Sequence, residues 1–309
     1  MLQWATRAGG AGDDTAVGIA VDGGGNAYLA GSYSGASATF GTTTLANGGG
    51  RDVVVAKLST AGSWQWASRV GGSGDDFGQS IAVDASGNAY VAAYFNSSSL
   101  AVGASTLYST SPESGLVARY STTGTAQWAT LVSGSNSAYA NAVALDTSGN
   151  PYLLGDFSGT MTLGSTTLTS AGGQDTFVTK LSASTGAFQW ASRAGGVNDD
   201  FAPAGSAIVV DATGNAYITG RSYSTSVVFG STMLLNPNTN GSVYLARLTS
   251  IGHLAGRYVP GAIPRQGARQ WPSMGRAISI PRATLVARQQ HSVVQPSPVR
   301  AAPMCMWLS

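Results

Sequence analysis

Apolar and polar positions along this chain alternate over short stretches, and the stretches return. Ile81-Ala-Val-Asp84-Ala-Ser-Gly87-Asn88-Ala-Tyr90-Val-Ala-Ala-Tyr94 holds two runs of period-two alternation around an Asp–Gly–Asn turn. The same pattern recurs around Asp22 and Tyr28, Asp146 and Tyr152, and Asp211 and Tyr217. Alternation with period two, bounded by turn residues, predicts strands. An aspartate accepts backbone N–H bonds in an Asx turn, and Gly and Asn tolerate the left-handed backbone of a tight hairpin. Asp22, Asn26, Asp84, Asn88, Asp146, Asn150, Asp211 and Asn215 are therefore assigned to turns.

The hairpin is one part of a longer unit. Gln-Trp-Ala begins at Gln3, Gln65, Gln127 and Gln189, each 62 residues after the last. A Trp strand (Trp66-Ala-Ser-Arg69) leads into a Gly-rich loop (Gly71-Gly-Ser-Gly-Asp75-Asp76) and then into the hairpin. A Thr/Ser-rich segment such as Ala38-Thr-Phe-Gly-Thr-Thr-Thr-Leu45 follows, and Asp52-Val-Val-Val-Ala-Lys57-Leu58 closes the unit. Alternation in that last strand predicts one face inward and one outward. About four strands per unit, joined by short turns, pair antiparallel, because parallel strands need long crossovers. A four-stranded unit in tandem is a β-propeller blade, and 62 residues exceeds the roughly 20–47 of solenoid repeats.

The expected fold is all-β: a propeller of about four blades over residues 1–252, followed by a non-native tail over 253–309. The first Trp strand lacks preceding partners, and Val243-Tyr-Leu-Ala-Arg-Leu248 lacks a following Trp strand. Pairing those two would close a small ring; leaving them apart gives an open arc with free edges. Trp4, Trp66, Trp128 and Trp190 are expected between neighbouring blades, where large aromatic area is worth most, with sugar stacking as the rival role. The fourth unit carries additions near Ala202-Pro203-Ala204 and at Asn236-Pro-Asn-Thr-Asn240.

Three recurring strings resemble the bacterial β-propeller repeat family called SBBP repeats: Ile-Ala-Val-Asp-x-x-Gly-Asn-Ala-Tyr, Gly-Gly-x-Gly-Asp-Asp and Asp-Val-Val-Val-Ala-Lys-Leu. The likeness covers residues 1–250. It implies a secreted or surface-exposed propeller, often part of a larger protein, with no general enzymatic activity and no catalytic residues to transfer. The chain departs from the family in its abrupt start and in its tail.

Charge divides the chain. Residues 1–250 hold nine Lys/Arg and all fourteen Asp/Glu, while residues 251–309 hold seven Arg and no acid, with seven of eleven prolines, both histidines and the lone Cys305. The 62-residue rhythm calls for another Trp strand after Arg247-Leu248-Thr249. When codons are read from the last base of one residue and the first two of the next, residues 255–262 permit WAVRAGG. Met304-Cys305-Met306-Trp307, where Met and Trp have one codon each, forces Val, then His or Tyr, then Val. Residues 291–309 permit TFGSTTLTSAGGTDVYVAK, close to the segment Thr162-Leu-Gly-Ser-Thr-Thr-Leu-Thr-Ser-Ala-Gly-Gly-Gln-Asp175. The hidden Trp and Lys codons end within residues 256 and 309, a gap of 53, as from Trp4 to Lys57. A hidden Asp codon falls at Met274, 18 later, as Asp22 follows Trp4. These coincidences predict one base lost near Ala255, making residues 256–309 an out-of-frame translation that is disordered as translated.

Candidate chemistry is sparse. The pairs Asp13-Asp14, Asp75-Asp76 and Asp199-Asp200 sit in equivalent Gly-rich loops on one rim, and the third unit has Asn136-Ser137 instead. Clustered carboxylates suit calcium, a hard cation taking oxygen ligands; their plainer role is to accept loop hydrogen bonds. No other cofactor is implied. Residues 1–250 contain no His and no Cys, which removes Ser–His–Asp and Cys–His catalysis and zinc sites on those ligands. Paired carboxylates could still hydrolyse glycosides if two converged in a pocket. The tail arginines read as shifted codons rather than a nucleic-acid surface. No apolar run reaches the roughly 18 residues of a membrane span, and no signal peptide is visible ahead of the first repeat. The expected role is a non-catalytic secreted or cell-surface scaffold that binds a glycan or protein partner. The alternatives are a calcium-stabilised adhesion module and a carboxylate-dependent glycosidase.

Overall fold

A computed structural model describes residues 2–202, 207–236 and 241–254. The insertion residues 203–206 and 237–240, and the expected out-of-frame tail from 255 onward, lie outside the described residues. Every regular element described is a β-strand, twenty-five in all.

After β1 (Gly9–Gly10), blade one consists of β2 (Asp14–Val21), β3 (Ala27–Ser34), β6 (Arg51–Leu58) and β7 (Trp64–Gly71), with a small hairpin β4 (Ser37–Phe40) and β5 (Thr43–Ala46) between β3 and β6. Blade two repeats this as β8 (Asp76–Val83), β9 (Ala89–Phe95), β12 (Ser114–Tyr120) and β13 (Ala126–Val132), with hairpin β10 (Ser99–Val102) and β11 (Ser105–Tyr108). Blade three is β14 (Ala138–Leu145), β15 (Pro151–Phe157), β18 (Asp175–Leu181) and β19 (Phe188–Gly195), with β16 (Thr160–Leu163) and β17 (Thr166–Thr169). Blade four has its first strand in two pieces, β20 (Asp200–Phe201) and β21 (Ile208–Val210). Both pair with β22 (Ala216–Ser222). Then come β23 (Ser226–Phe229), β24 (Thr232–Leu235) and β25 (Ser242–Leu248). All ladder pairs are antiparallel meanders, as short connections demand.

Two features go beyond the four-strand expectation. The Thr/Ser-rich segment is itself a hairpin, and it joins the preceding blade: β10 pairs with β7 through Val102 and Val70, and β23 pairs with β19 through Phe229 and Ala194. Each unit thus clips onto the outer strand before it. The strands β6, β12 and β18 are also buried on both faces, against the expected inside–outside alternation. Blades two and three lie between neighbours, and in blade one the second face of β6, Val54 and Ala56, packs with Tyr33, Ala38 and Phe40 of its own unit, so neither face of these strands meets water.

The core accordingly lies between blades. Tyr28, Val53 and Val55 of blade one pack with Ile81, Val91 and Leu116 of blade two. Tyr90 and Val117 of blade two pack with Val143, Leu153 and Phe177 of blade three, and Tyr152 and Val178 of blade three pack with Ile208, Ile218 and Tyr244 of blade four. At the two ends the pattern stops. Residues 3–7 have no ladder partner among the described residues, so only Gly9–Gly10 of that segment is strand, held on Thr39 and Ala38. The last strand, β25, pairs with β22 and makes one further rung, Leu248 with Leu254. No strand pairing among the described residues joins the first blade to the last. The turn after β25 closes as in earlier units, Thr249 N–H donating to the His253 carbonyl, so the repeat pattern continues through Leu254.

Candidate binding site

The recurring turn residues form one network per blade. In blade two, Asp84 Oδ1 accepts from the backbone N–H of Ser86 and Asn88, each at 2.9 Å, and the Asn88 side chain donates to both carboxylate oxygens. Gly87 supplies the left-handed step at φ 82°. Asp22 with Asn26, Asp146 with Asn150 and Asp211 with Asn215 repeat the arrangement. Burial pushes the Asp22 carboxyl up, but the donors of Asn26, Tyr28 and Gly24 outweigh it and hold Asp22 below its ordinary value. A cation completes the set: Lys57 lies 3.7 Å from Asp22 and over the Tyr28 ring, and Lys180 lies 2.9 Å from Asp146 and over Tyr152. The tyrosine hydroxyls then reach across the interface, Tyr28 to the Gly87 carbonyl and Tyr152 to the Gly214 carbonyl. These groups are consumed by the fold.

The tryptophans reach the turn of the next unit; Trp66, Trp128 and Trp190 are half-buried, and Trp4 is exposed. Trp66 Nε1 donates to the Thr122 carbonyl at 2.9 Å, and its ring lies on Gly124, where an added Cβ would come within 2.6 Å of it. Trp4, Trp128 and Trp190 make the same bond to Thr60, Ala183 and Ser250. Ring faces that rest on a glycine of the next blade are not open sugar platforms.

The acidic pairs divide their labour. The second member caps the Gly-rich loop: Asp14 accepts from Gly10 N–H, Asp76 from Gly72 N–H and Ser97, and Asp200 from Gly196 N–H and Ser224. Asp76 and Asp200 are fully buried. Burial pushes Asp76 up to about 6. In blade three this column is Ala138, which pairs with Phe157 as Asp76 pairs with Phe95, so Ser137-Ala138, and not the expected Asn136-Ser137, replaces the acidic pair. The first members, Asp13, Asp75 and Asp199, are exposed. Among the described residues, no three His, Cys, Asp or Glu side chains gather as a metal would require, so the calcium reading gains no support.

Asp156 is also raised, to about 7, chiefly by burial. It accepts from Ala202 N–H at 2.6 Å and from Asn141 at 2.7 Å, pinning blade four to blade three. A cleft of about 310 Å³ beside Arg69, Gly103, Tyr120 and Gly124 has no carboxylate in its lining. The raised acids Asp76 and Asp156 are both buried, and neither lines that cleft.

One cluster on the acidic-loop rim stays partly exposed. Phe77 and Tyr94, opposite one another on β8 and β9, stack at 4.9 Å with rings 20° apart. Tyr139 of blade three meets Tyr94 edge-on at 5.2 Å. The Arg51 guanidinium of blade one lies over Phe77 at 5.7 Å, and the Tyr139 hydroxyl donates to the Glu113 carboxylate. All five side chains are half-buried. Burial is the main cause raising Tyr94, with the charges of Glu113 and Asp75 adding and Arg51 opposing. Burial and the Glu113 bond push Tyr139 up to about 12, so both phenols stay protonated donors at neutral pH.

Sequence reasoning passed over this row because it followed what repeats. Phe77 occupies the column of Thr15, Tyr139 and Phe201; Tyr94 that of Ser32, Asp156 and Arg221; Arg51 that of Glu113, Gln174 and Gly241. Chemistry that varies at a fixed rim position, beside turns that do not vary, was the available signal.

The SBBP beta-propeller repeat profile matches residues 3–32 and 65–100. No curated protein matches the chain. Among solved structures, a protein of unknown function from Bacteroides caccae aligns over 78% of this chain and 80% of its own, at 12% identity and a TM-score of 0.32. A likeness that weak adds nothing to the reading of the site.

Proposed function

With residues 3–32 and 65–100 matching the SBBP β-propeller repeat, we propose that the chain is a non-catalytic binding module, secreted or displayed at a cell surface, that holds a glycan on Phe77, Tyr94 and Tyr139. The observation that supports this is the half-buried aromatic row running from blade two to blade three, bracketed by Arg51 and Glu113. The parts of these rings left exposed can pack against sugar C–H groups, while the phenols, the carboxylate and the guanidinium match hydroxyl groups in both hydrogen-bonding senses. The family likeness favours an external location. Calorimetric titration with a panel of neutral and acidic polysaccharides tests the reading. At least one should bind, with Tyr94→Ala and Glu113→Gln each weakening it tenfold or more. Glu113→Gln keeps the packing volume, so its effect separates binding from folding. No binding across the panel, or unchanged affinity in both variants, would overturn the proposal.

A further inference from the structure

The outward face of blade four is built like an interface but covered by nothing among the described residues. Val209, Val243 and Leu245 are 58, 60 and 41% exposed. Their counterparts in blade three, Ala144, Thr176 and Val178, lie under blade four, with Thr176 and Val178 at 0 and 2%. Tyr217, the counterpart of the buried Tyr152, has among the described residues only its own Asp211 as hydroxyl partner, at 3.4 Å, where Tyr152 reaches a glycine carbonyl of the next blade. The edge is open too. In the three earlier blades Lys57, Arg119 and Lys180 face Trp66, Trp128 and Trp190; Arg247 pairs with Tyr217 on one side and, among the described residues, faces no strand on the other.

The first rung of the absent strand is nevertheless in place. Leu248 pairs with Leu254 as Leu58 pairs with Trp64, Tyr120 with Ala126 and Leu181 with Phe188. In each finished blade the conserved-register Trp stands two residues beyond that rung, at Trp66, Trp128 and Trp190. From Leu254 the same step lands on position 256, within which the hidden Trp codon of the shifted frame ends. The ladder and the codon arithmetic are independent, and they agree to the residue. The turn is likewise ready, with Ser250 accepting from Trp190 and Gly252 under its ring.

We propose that the free edge of β25 and the face of Val209, Tyr217, Val243 and Leu245 are the docking surface for a fifth blade of the same repeat, encoded one base out of register from Ala255 onward. Its first strand, WAVRAGG, sets Trp against Arg247, Ala against Ala246 and Val against Leu245. It completes blade four, and the strands after it cover the apolar face. The glycine of the hidden Asp–Gly–Asn turn then gives Tyr217 its missing carbonyl.

The gene tests this first. The hidden Trp requires GCT at Ala255, and the hidden aspartates require TCG at Ser273 and CCG at Pro303; a different base at Ala255 overturns the proposal. The protein tests it second. Inserting one base after the second position of codon 255 restores the frame. Hydrogen exchange of β25 in that chain should slow at least tenfold relative to the 309-residue chain, and the midpoint of thermal unfolding should rise by several degrees. Unchanged exchange at β25 in the restored chain overturns the docking. So does protection of β25 in the present chain that grows with protein concentration and gains nothing on restoration, because the face would then belong to a second copy.

Discussion

Strands β18 and β25 hold the same rank in consecutive blades and descend from the same repeat, yet they meet different surroundings. Asp175–Leu181 is buried at every position but Lys180, whereas Ser242–Leu248 alternates between exposed and buried. At the other end β2 is largely exposed while β8, its counterpart, is largely covered. Ile19 is 72% exposed and Ile81 7%. The difference is the neighbour, not the residue. Blade sequences in this protein are written for two-sided burial, and each end displays what an interior surface looks like when uncovered.

Breaking that contrast should give its largest effect at the paired isoleucines. Ile81→Ala should cost about 2–4 kcal/mol by opening a cavity between blades one and two, while Ile19→Ala should stay within about 0.5 kcal/mol. Urea unfolding of both variants checks this; equal losses would mean that Ile19 is covered in solution. A second effect separates two interior interfaces. Blade two is pinned to blade one by Gly78 N–H on the neutral Ser32, and blade four to blade three by Ala202 N–H on Asp156. Burial raises Asp156 to about 7, above the roughly 3.9 of an unfolded aspartate. The folded chain therefore prefers the protonated form. The stability contributed by Asp156 is fully present below about pH 4 and is lost as pH rises through 7, on the order of 2–3 kcal/mol. Asp156→Asn keeps an acceptor for Ala202 and should flatten that decline, measured as melting temperature between pH 4 and 8. The smallest effect compares hydroxyls. Tyr152→Phe strands the Gly214 carbonyl and should cost about 1–2 kcal/mol, whereas Tyr217→Phe should cost less than about 0.5 kcal/mol. A loss for Tyr217→Phe equal to that for Tyr152→Phe would show that its face is occupied.

The legible parts of the fold were those written locally. An Asp, a Gly and an Asn at fixed spacing specify a turn without help from the rest of the chain, and four copies at one period specify blades. What stayed hidden depends on partners distant in sequence. Nothing in Ser99–Val102 announces that it pairs with the blade before it, because a Thr/Ser-rich hairpin satisfies its own alternation wherever it docks. Lys57 and Lys180 look like solvated positions on edge strands until the Asx turn and the tyrosine ring close around them. The aromatic row was hidden for a different reason. Phe77 and Tyr139 share one repeat column but stand in different units, and Tyr94 stands in another column, so no single motif contains them; the β8–β9 pairing joins Phe77 to Tyr94 and the stacking of blades brings in Tyr139.

The tryptophan clamp also sets an order of events. Trp4 and Trp66 each wait for a carbonyl 56 residues downstream, and Trp190 for one 60 downstream. Every clamp points the same way along the chain, so a unit leaving the ribosome can lock its predecessor but not itself. Assembly then proceeds by nearest-neighbour coupling from the first unit onward, as in other stacked-repeat proteins. Wherever synthesis of such a protein is interrupted, the unit made last is the one left unlocked.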